Sequence, residues 1–261
     1  MTGKLLIAGM LAGLVAALLS FSFLKGVGGP YVERAIAFES AMDEAKAKAR
    51  ADEAAAKGQP APVEQAEPEL VSRPVQSGIG LFTGVGVFSV AFGGFFALAF
   101  ALAYGRLAAL DARATSAVLA ALGFVSVYVT PMLKYPPNPP AVGLSETIDL
   151  RTSLYFALML ISLAAMIAAG LLRQALSGRL GGWNATLVAG FAYIAVMTGV
   201  CLALPGVNEV PEGFPADLLW AFRLSSLGGQ AILWATLGLA FGVYAERVVG
   251  RKQPALRPFR A

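Results

Sequence analysis

Histidine is absent from this chain of 261 residues. No imidazole can serve as metal ligand, haem ligand, general base or proton shuttle. Neither a Ser-His-Asp nor a Cys-His nucleophilic arrangement can be assembled. A single cysteine, Cys201, excludes an internal disulfide and any CxxC site. Charge is scarce as well: 14% of the residues are Asp, Glu, Lys or Arg, against roughly 25% in soluble domains. There is no Gly-x-x-x-x-Gly-Lys-Ser/Thr phosphate loop, so ATP is not hydrolysed by that route in this chain. Gly78-x-Gly80 and Gly84-x-Gly86 lie inside an apolar run and lack the strand–turn–helix setting of a dinucleotide fingerprint.

What the chain has instead is long uncharged sequence. Hydrophobic residues make up 57% of it. No charge occurs from Leu5 to Leu24, Pro74 to Gly105, Ala114 to Leu133, Thr152 to Leu172, Leu180 to Asn208 or Leu224 to Ala245. Roughly 20 apolar residues suffice for a helix to cross about 30 Å of hydrocarbon. The expectation is an all-α integral membrane protein forming one membrane domain, a bundle of six transmembrane helices arranged as three hairpins. The spans are placed at 5–24, 77–103, 114–133, 152–172, 185–204 and 224–245.

The charges that remain are sorted by side. With a cytoplasmic N-terminus, the N-terminal stretch, the inner connections and the tail hold ten Lys/Arg against Asp111 and Glu246, a net +8. The other ten Lys/Arg and fourteen Asp/Glu fall outside, a net −4. Basic residues concentrated in short inner loops set membrane orientation. Both termini are therefore expected in the cytoplasm of a bacterial inner membrane, with 246–261 a basic cytoplasmic tail. The net charge of +4 needs no nucleic acid partner to explain it. Lys4 before an apolar run resembles the start of a signal peptide, but the run is long and ends without a clear small-x-small cleavage site. The first span is read as a retained anchor.

The long extracytoplasmic segment, 26–75, divides in two. Tyr31 to Lys57 is rich in Ala, Glu, Lys and Arg and predicts an exposed helix, with Gly58 to stop it. Gln59 to Pro74 carries four prolines and predicts a stiff linker. The segment is read as a solvated spacer, with a docking arm as the alternative. The two further outer loops parallel each other. Each has a proline ending a span, then Asn, Pro and Gly, then acids, then one arginine, Arg151 or Arg223, opening the next span. That pattern suggests a duplicated two-helix unit. Gly9-x-x-x-Gly13, Gly80-x-x-x-Gly84 and Gly238-x-x-x-Gly242 each predict a helix face that permits close packing. Gly93-Gly94 could permit a kink. A homo-oligomer is left open.

Span interiors hold mild polar groups such as Ser89, Ser126, Tyr128, Ser162 and Tyr193, and no charge. Acids gather on the outer loops: Glu146, Asp149, Glu209, Glu212 and Asp217, with Asn138 and Asn208 adding amide oxygens. Oxygen-rich sets suit hard or borderline divalent cations. The candidate metal residues are Glu209, Asp217, Glu146, Asp149 and Asn208. Against this, the acids could pair with Lys134, Arg151 and Arg223 and only fix the loops. Arg223 could neutralise Asp217 or stack on nearby aromatics. Glu146 and Asp149 could complement the dipole at the start of the fourth span.

The stretches PMLKYPPNPPAVGLSETIDLRT (131–152) and LPGVNEVPEGFPADLLWAFRLSSLGGQ (204–230) resemble the CbtA family of probable cobalt transporter subunits. The resemblance extends from the first span to the last. It implies a small polytopic inner-membrane protein that works with a one-span CbtB-like partner carrying a histidine-containing tail. It implies no enzymatic activity and no resident cofactor, with Co²⁺ as the transported ion. No ligand set comes with it. Two other readings stay open: a non-transporting membrane scaffold within a larger complex, and an anion carrier that uses Arg151 and Arg223 as its clamp.

Overall fold

The computed structural model describes residues 2–58, 60, 71–107 and 110–250. The basic tail beyond Gly250 and most of the proline-rich linker, positions 59 and 61–70, lie outside the described residues. All regular structure among those described is helical. Five helices are long and apolar enough to cross a membrane: α1 Thr2–Ala56, α2 Arg73–Ala103, α3 Ala112–Lys134, α4 Ser145–Ala203 and α5 Ala216–Gly250.

The difference between five helices and six apolar runs lies in α4, which holds two of the runs. Its helical path is interrupted at Gly181, with φ 75° and ψ 161°, a region that glycine enters without steric cost. In an unbroken helix Ser162 and Tyr193 would stand about 46 Å apart along the axis. Their hydroxyls are 2.7 Å apart. Near the break, Arg173 Nε donates to Thr186 Oγ1 at 2.9 Å. The helix is folded back at Gly181 into two arms, each containing one apolar run.

Helix α1 does the opposite. A span and a separate loop helix were expected, and the chain instead runs as one helix from Thr2 to Ala56. Pro30 falls in the first turn of its second part, Gly29–Ala56, and the turns ahead of it, Leu24–Gly28, are widened to π geometry. A proline lacks the N–H and crowds the carbonyl four residues back, and widened turns absorb both defects. The same device recurs in α3, where widened turns at Phe124–Val129 precede Pro131. Pro131 therefore does not end its span, and the helix continues to Lys134. Gly58, at φ 64°, lies just past the end of α1, as expected of a helix-terminating glycine.

Glycines set the closest approaches. A Cβ on Gly13 would collide with the backbone carbonyl of Ser89, and one on Gly93 with that of Gly9. Helices α1 and α2 thus touch backbone to backbone, and Gly93 serves that contact while Leu81–Ala103 remains one uninterrupted α-helix. At the α3–α5 contact, Gly238 faces Ala120, and Ser116 Oγ donates to Gly238 O at 2.7 Å. Gly84 meets nothing within 4 Å, so its face is no packing seam among the described residues. Leu5, Ala12, Ala16, Phe96, Phe100, Trp234, Leu237 and Phe241 fill the core between α1, α2 and α5. The rings of Phe100 and Phe241 meet edge to face with centroids 5.1 Å apart.

The two ends of the bundle differ. One carries arginines: Arg113 pairs with Glu246 at 2.6 Å, and Arg173 Nη1 donates to Leu107 O at 3.0 Å. The other carries the connections 135–144 and 204–215, and the charged half of α1 leans on both. Ala35 is buried there among Val142, Phe214 and Leu218. Phe38 meets Phe214 edge to face at 5.0 Å.

Candidate functional site

The two connections at this second end hold each other. Tyr135 Oη donates to Pro205 O at 2.9 Å, and Leu144 N donates to Glu209 Oε2 at 2.7 Å. The arginine that follows each connection is fixed by the opposite one. Arg151, in the first turns of α4, lies 3.5 Å from Glu209 Oε2. It also donates to Thr147 Oγ1 at 3.2 Å and Leu144 O at 3.0 Å. Arg223, at the start of the third turn of α5, donates through Nη2 to Asn138 Oδ1 at 2.9 Å and through Nε to Pro137 O at 3.4 Å. Gly143, at φ 120°, leaves room for the Arg151 guanidinium, because a Cβ there would lie 2.5 Å from Nη1.

Between these side chains lies a cavity of about 410 Å³. Arg151, Glu209, Arg223, Asn138 and Asn208 supply its polar wall, and Tyr128, Tyr135, Tyr155 and Phe156 its aromatic wall. Glu209 is the most enclosed of the acids on these loops that form ion pairs, with 12% of its side chain exposed. The Thr147 hydroxyl, the Leu144 N–H and the Arg151 guanidinium hold its carboxyl below the usual carboxylate range. It is ionised at neutral pH.

A second cavity, about 600 Å³, lies deeper between α1, α2 and α5. Ser20, Gly80, Gly84, Ser89 and Gln230 line it, and it shares Tyr128 and Pro137 with the first. The Ser89 and Tyr128 hydroxyls are buried without a hydrogen-bond partner among the described residues. Buried polar atoms are ordinarily paired, and both of these orphans belong to the wall of this cavity.

The candidate metal residues separate on folding. Glu209 and Asn208 line the first cavity, while Glu146, Asp149 and Asp217 do not. Asp217 pairs with Arg34 of α1 at 3.4 Å rather than with Arg223, because the charged half of α1 lies across the start of α5. Asp149 occupies the first turn of the α-helical part of α4, where a carboxylate complements the helix dipole. Of the cations weighed as partners for these acids, Arg151 is found beside Glu209. Among the described residues no three Cys, Asp or Glu side chains are arranged to hold a metal ion. Cys201 and Met197 do not line the first cavity; they pack with Tyr193 and Leu158 in a cluster that adjoins it through Tyr135 and Tyr155.

Sequence reasoning missed the bond between Arg223 and Asn138, Arg34 as the partner of Asp217, and the whole of the deeper cavity. A signal for the last was present in Gln230, an amide within an uncharged run, and in a Gly80-x-x-x-Gly84 face that nothing fills.

Comparison with known proteins is one-sided. No curated protein and no solved structure matches the chain. The family model described as "Probable cobalt transporter subunit (CbtA)" matches residues 2–246, nearly the whole chain, and the protein belongs to the CbtA family.

Proposed function

We propose that the chain forms the translocation path of a Co²⁺ uptake system in a bacterial inner membrane. It would cross six times, with both termini cytoplasmic and the charged half of α1 outside, and the two arms of α4 would count as separate spans. The observation that carries this reading is the pair of cavities that share Tyr128 and Pro137. Together they lead from a loop-bounded mouth toward the interior of the bundle, along a largely apolar wall that carries a few polar side chains. Glu209 and Asn208 stand at the mouth, and Glu146, Asp149 and Asp217, in the first turns of α4 and α5, draw cations toward it. Gln230 offers an amide oxygen deeper in.

The membrane potential supplies the driving force in this reading. It is worth about 2.3 kcal/mol per charge per 100 mV, and about twice that for a dication. A subunit needs a companion, and a one-span CbtB-like protein with metal-binding histidines would capture the ion that this histidine-free chain then passes.

The test is radiolabelled Co²⁺ uptake in metal-starved cells expressing the chain with and without that companion, with Ni²⁺ as competitor. Saturable uptake that requires this chain supports the reading. Correct membrane insertion without uptake, companion present, would overturn it. A scaffold reading draws on one observation, the 28-residue helical section Gly29–Ala56 that carries most of the charges of α1. Deleting 37–56 should then abolish assembly with a partner, whereas a transporter should keep most of its uptake.

A further inference from the structure

The first cavity has the wrong charge for a bare cation. Its wall contains two arginines and one carboxylate. That carboxylate is already engaged by the Leu144 N–H and flanked by Arg151. Arg223 is partly buried, and among the described residues its hydrogen bonds go only to neutral oxygens, those of Asn138 and Pro137. No carboxylate among the described residues lies within ion-pair distance of it. A guanidinium has five N–H donors, so Arg223 keeps three for something else. A partly desolvated cation without a counter-charge gains from an anion placed beside it. An anion that entered here would meet that cation, the outer face of Arg151 and flat rings.

We propose that this cavity is a binding site for a small organic carboxylate, held by Arg223 with Arg151 behind it. Planar guanidinium and planar carboxylate match in a two-bond geometry that an ammonium cannot copy. The site deepens the transport reading, on which its biological sense rests. A tricarboxylate that holds a divalent ion still carries net negative charge, so the metal can reach this mouth as its carboxylate complex, while the membrane potential favours inward passage of the released dication only. The exposed acids on the loops then gather free cations near the mouth, and the cavity selects the complexed form. The free carboxylate and the metal complex present the same chemistry to Arg223, and the experiment separates them.

Full-length protein in nanodiscs of zwitterionic lipid is titrated calorimetrically with citrate, with the one-to-one Co²⁺–citrate complex and with Co²⁺ alone. Saturable binding of citrate or its complex is expected, weakened about tenfold or more in Arg223→Gln, since a hydrogen bond to a charged group is lost. Arg223→Lys should recover part of it. Equal affinity in wild type and Arg223→Gln, or saturation by Co²⁺ alone without either citrate form, would overturn the site. Should Arg223→Gln fail to fold, the wild type decides. Acetate, succinate and citrate must bind with rising affinity and compete with one another, and no such order means no such site. Citrate binding that persists where cells show no Co²⁺ uptake would remove the transport reading and leave the site standing. Uptake without carboxylate binding would remove the site alone.

Discussion

Arg223 of α5 reaches Asn138 of the connection before α4 and donates Nη2–H to its Oδ1 at 2.9 Å. Its counterpart Arg151, which opens α4, lies 3.5 Å from Glu209 of the connection before α5. Each loop thus fixes the arginine that follows the other. The parallel loop patterns in the sequence become a reciprocal lock in space, and the lock forms the wall of the first cavity.

Asn138→Leu should break one half of this lock. It removes the side-chain oxygen that accepts from Arg223, and a hydrogen bond to a charged group contributes about 1.5–3 kcal/mol. Thermal unfolding in detergent should show a lower midpoint. Combined with Arg223→Gln, the two losses should be strongly non-additive, and simple additivity would show that the bond carries no energy.

Glu209 ties the two connections together most strongly while it is ionised. Thr147, Leu144 and Arg151 hold its pKa below the ordinary value. Its contribution to stability is therefore fully present above the unfolded carboxylate pKa and is lost as pH falls through the lowered folded value. Wild type and Glu209→Gln should differ in unfolding temperature at neutral pH and converge in acid. A constant difference across that window would show that the carboxylate charge is not what matters.

Gly13 has no room for a side chain, because its Cβ position is taken by the Ser89 carbonyl of α2. Gly13→Leu should separate the two helices and cost at least the about 1–3 kcal/mol typical of overpacking. Gly84→Leu is the control, since nothing lies within 4 Å of its Cβ position. Similar losses of folded protein on expression of the two variants would contradict the backbone contact.

Gly181 makes the fold of α4. At φ 75° and ψ 161° it sits in a region essentially restricted to glycine, where an L side chain is penalised by about 1–3 kcal/mol. Gly181→Ala should weaken the hairpin without touching either cavity. A cysteine pair at Ser162 and Tyr193 reports on it directly. Cross-linking should be efficient with Gly181 and reduced with alanine, and no cross-linking in either background would mean that the arms do not meet.

Replacing the acids tests the proposed mouth. Glu209→Gln with Asp217→Asn should abolish Co²⁺ uptake while the protein stays in the membrane at normal abundance. Unchanged uptake in that double variant would remove both acids from the path.

The sequence alone determined that this is a helical membrane protein and where its apolar segments lie, because length without charge is a local property that the bilayer reads directly. It also placed the end of the charged helix at Gly58, since a glycine signal acts within one turn. The two loop stretches at 131–152 and 204–230 carried the family. Only the tertiary structure decided which charges meet. Asp217 and Arg223 are six residues apart and were natural partners in sequence, yet the first is taken by Arg34 and the second by Asn138. Ion pairing depends on how helices cross, and the crossing is fixed by glycines whose partners lie on other helices. The continuity of α1 past Pro30 was likewise invisible, because widened turns reconcile a proline with a helix without leaving a residue pattern of their own. The cavities belong to the same class: they exist only where several helices fail to touch.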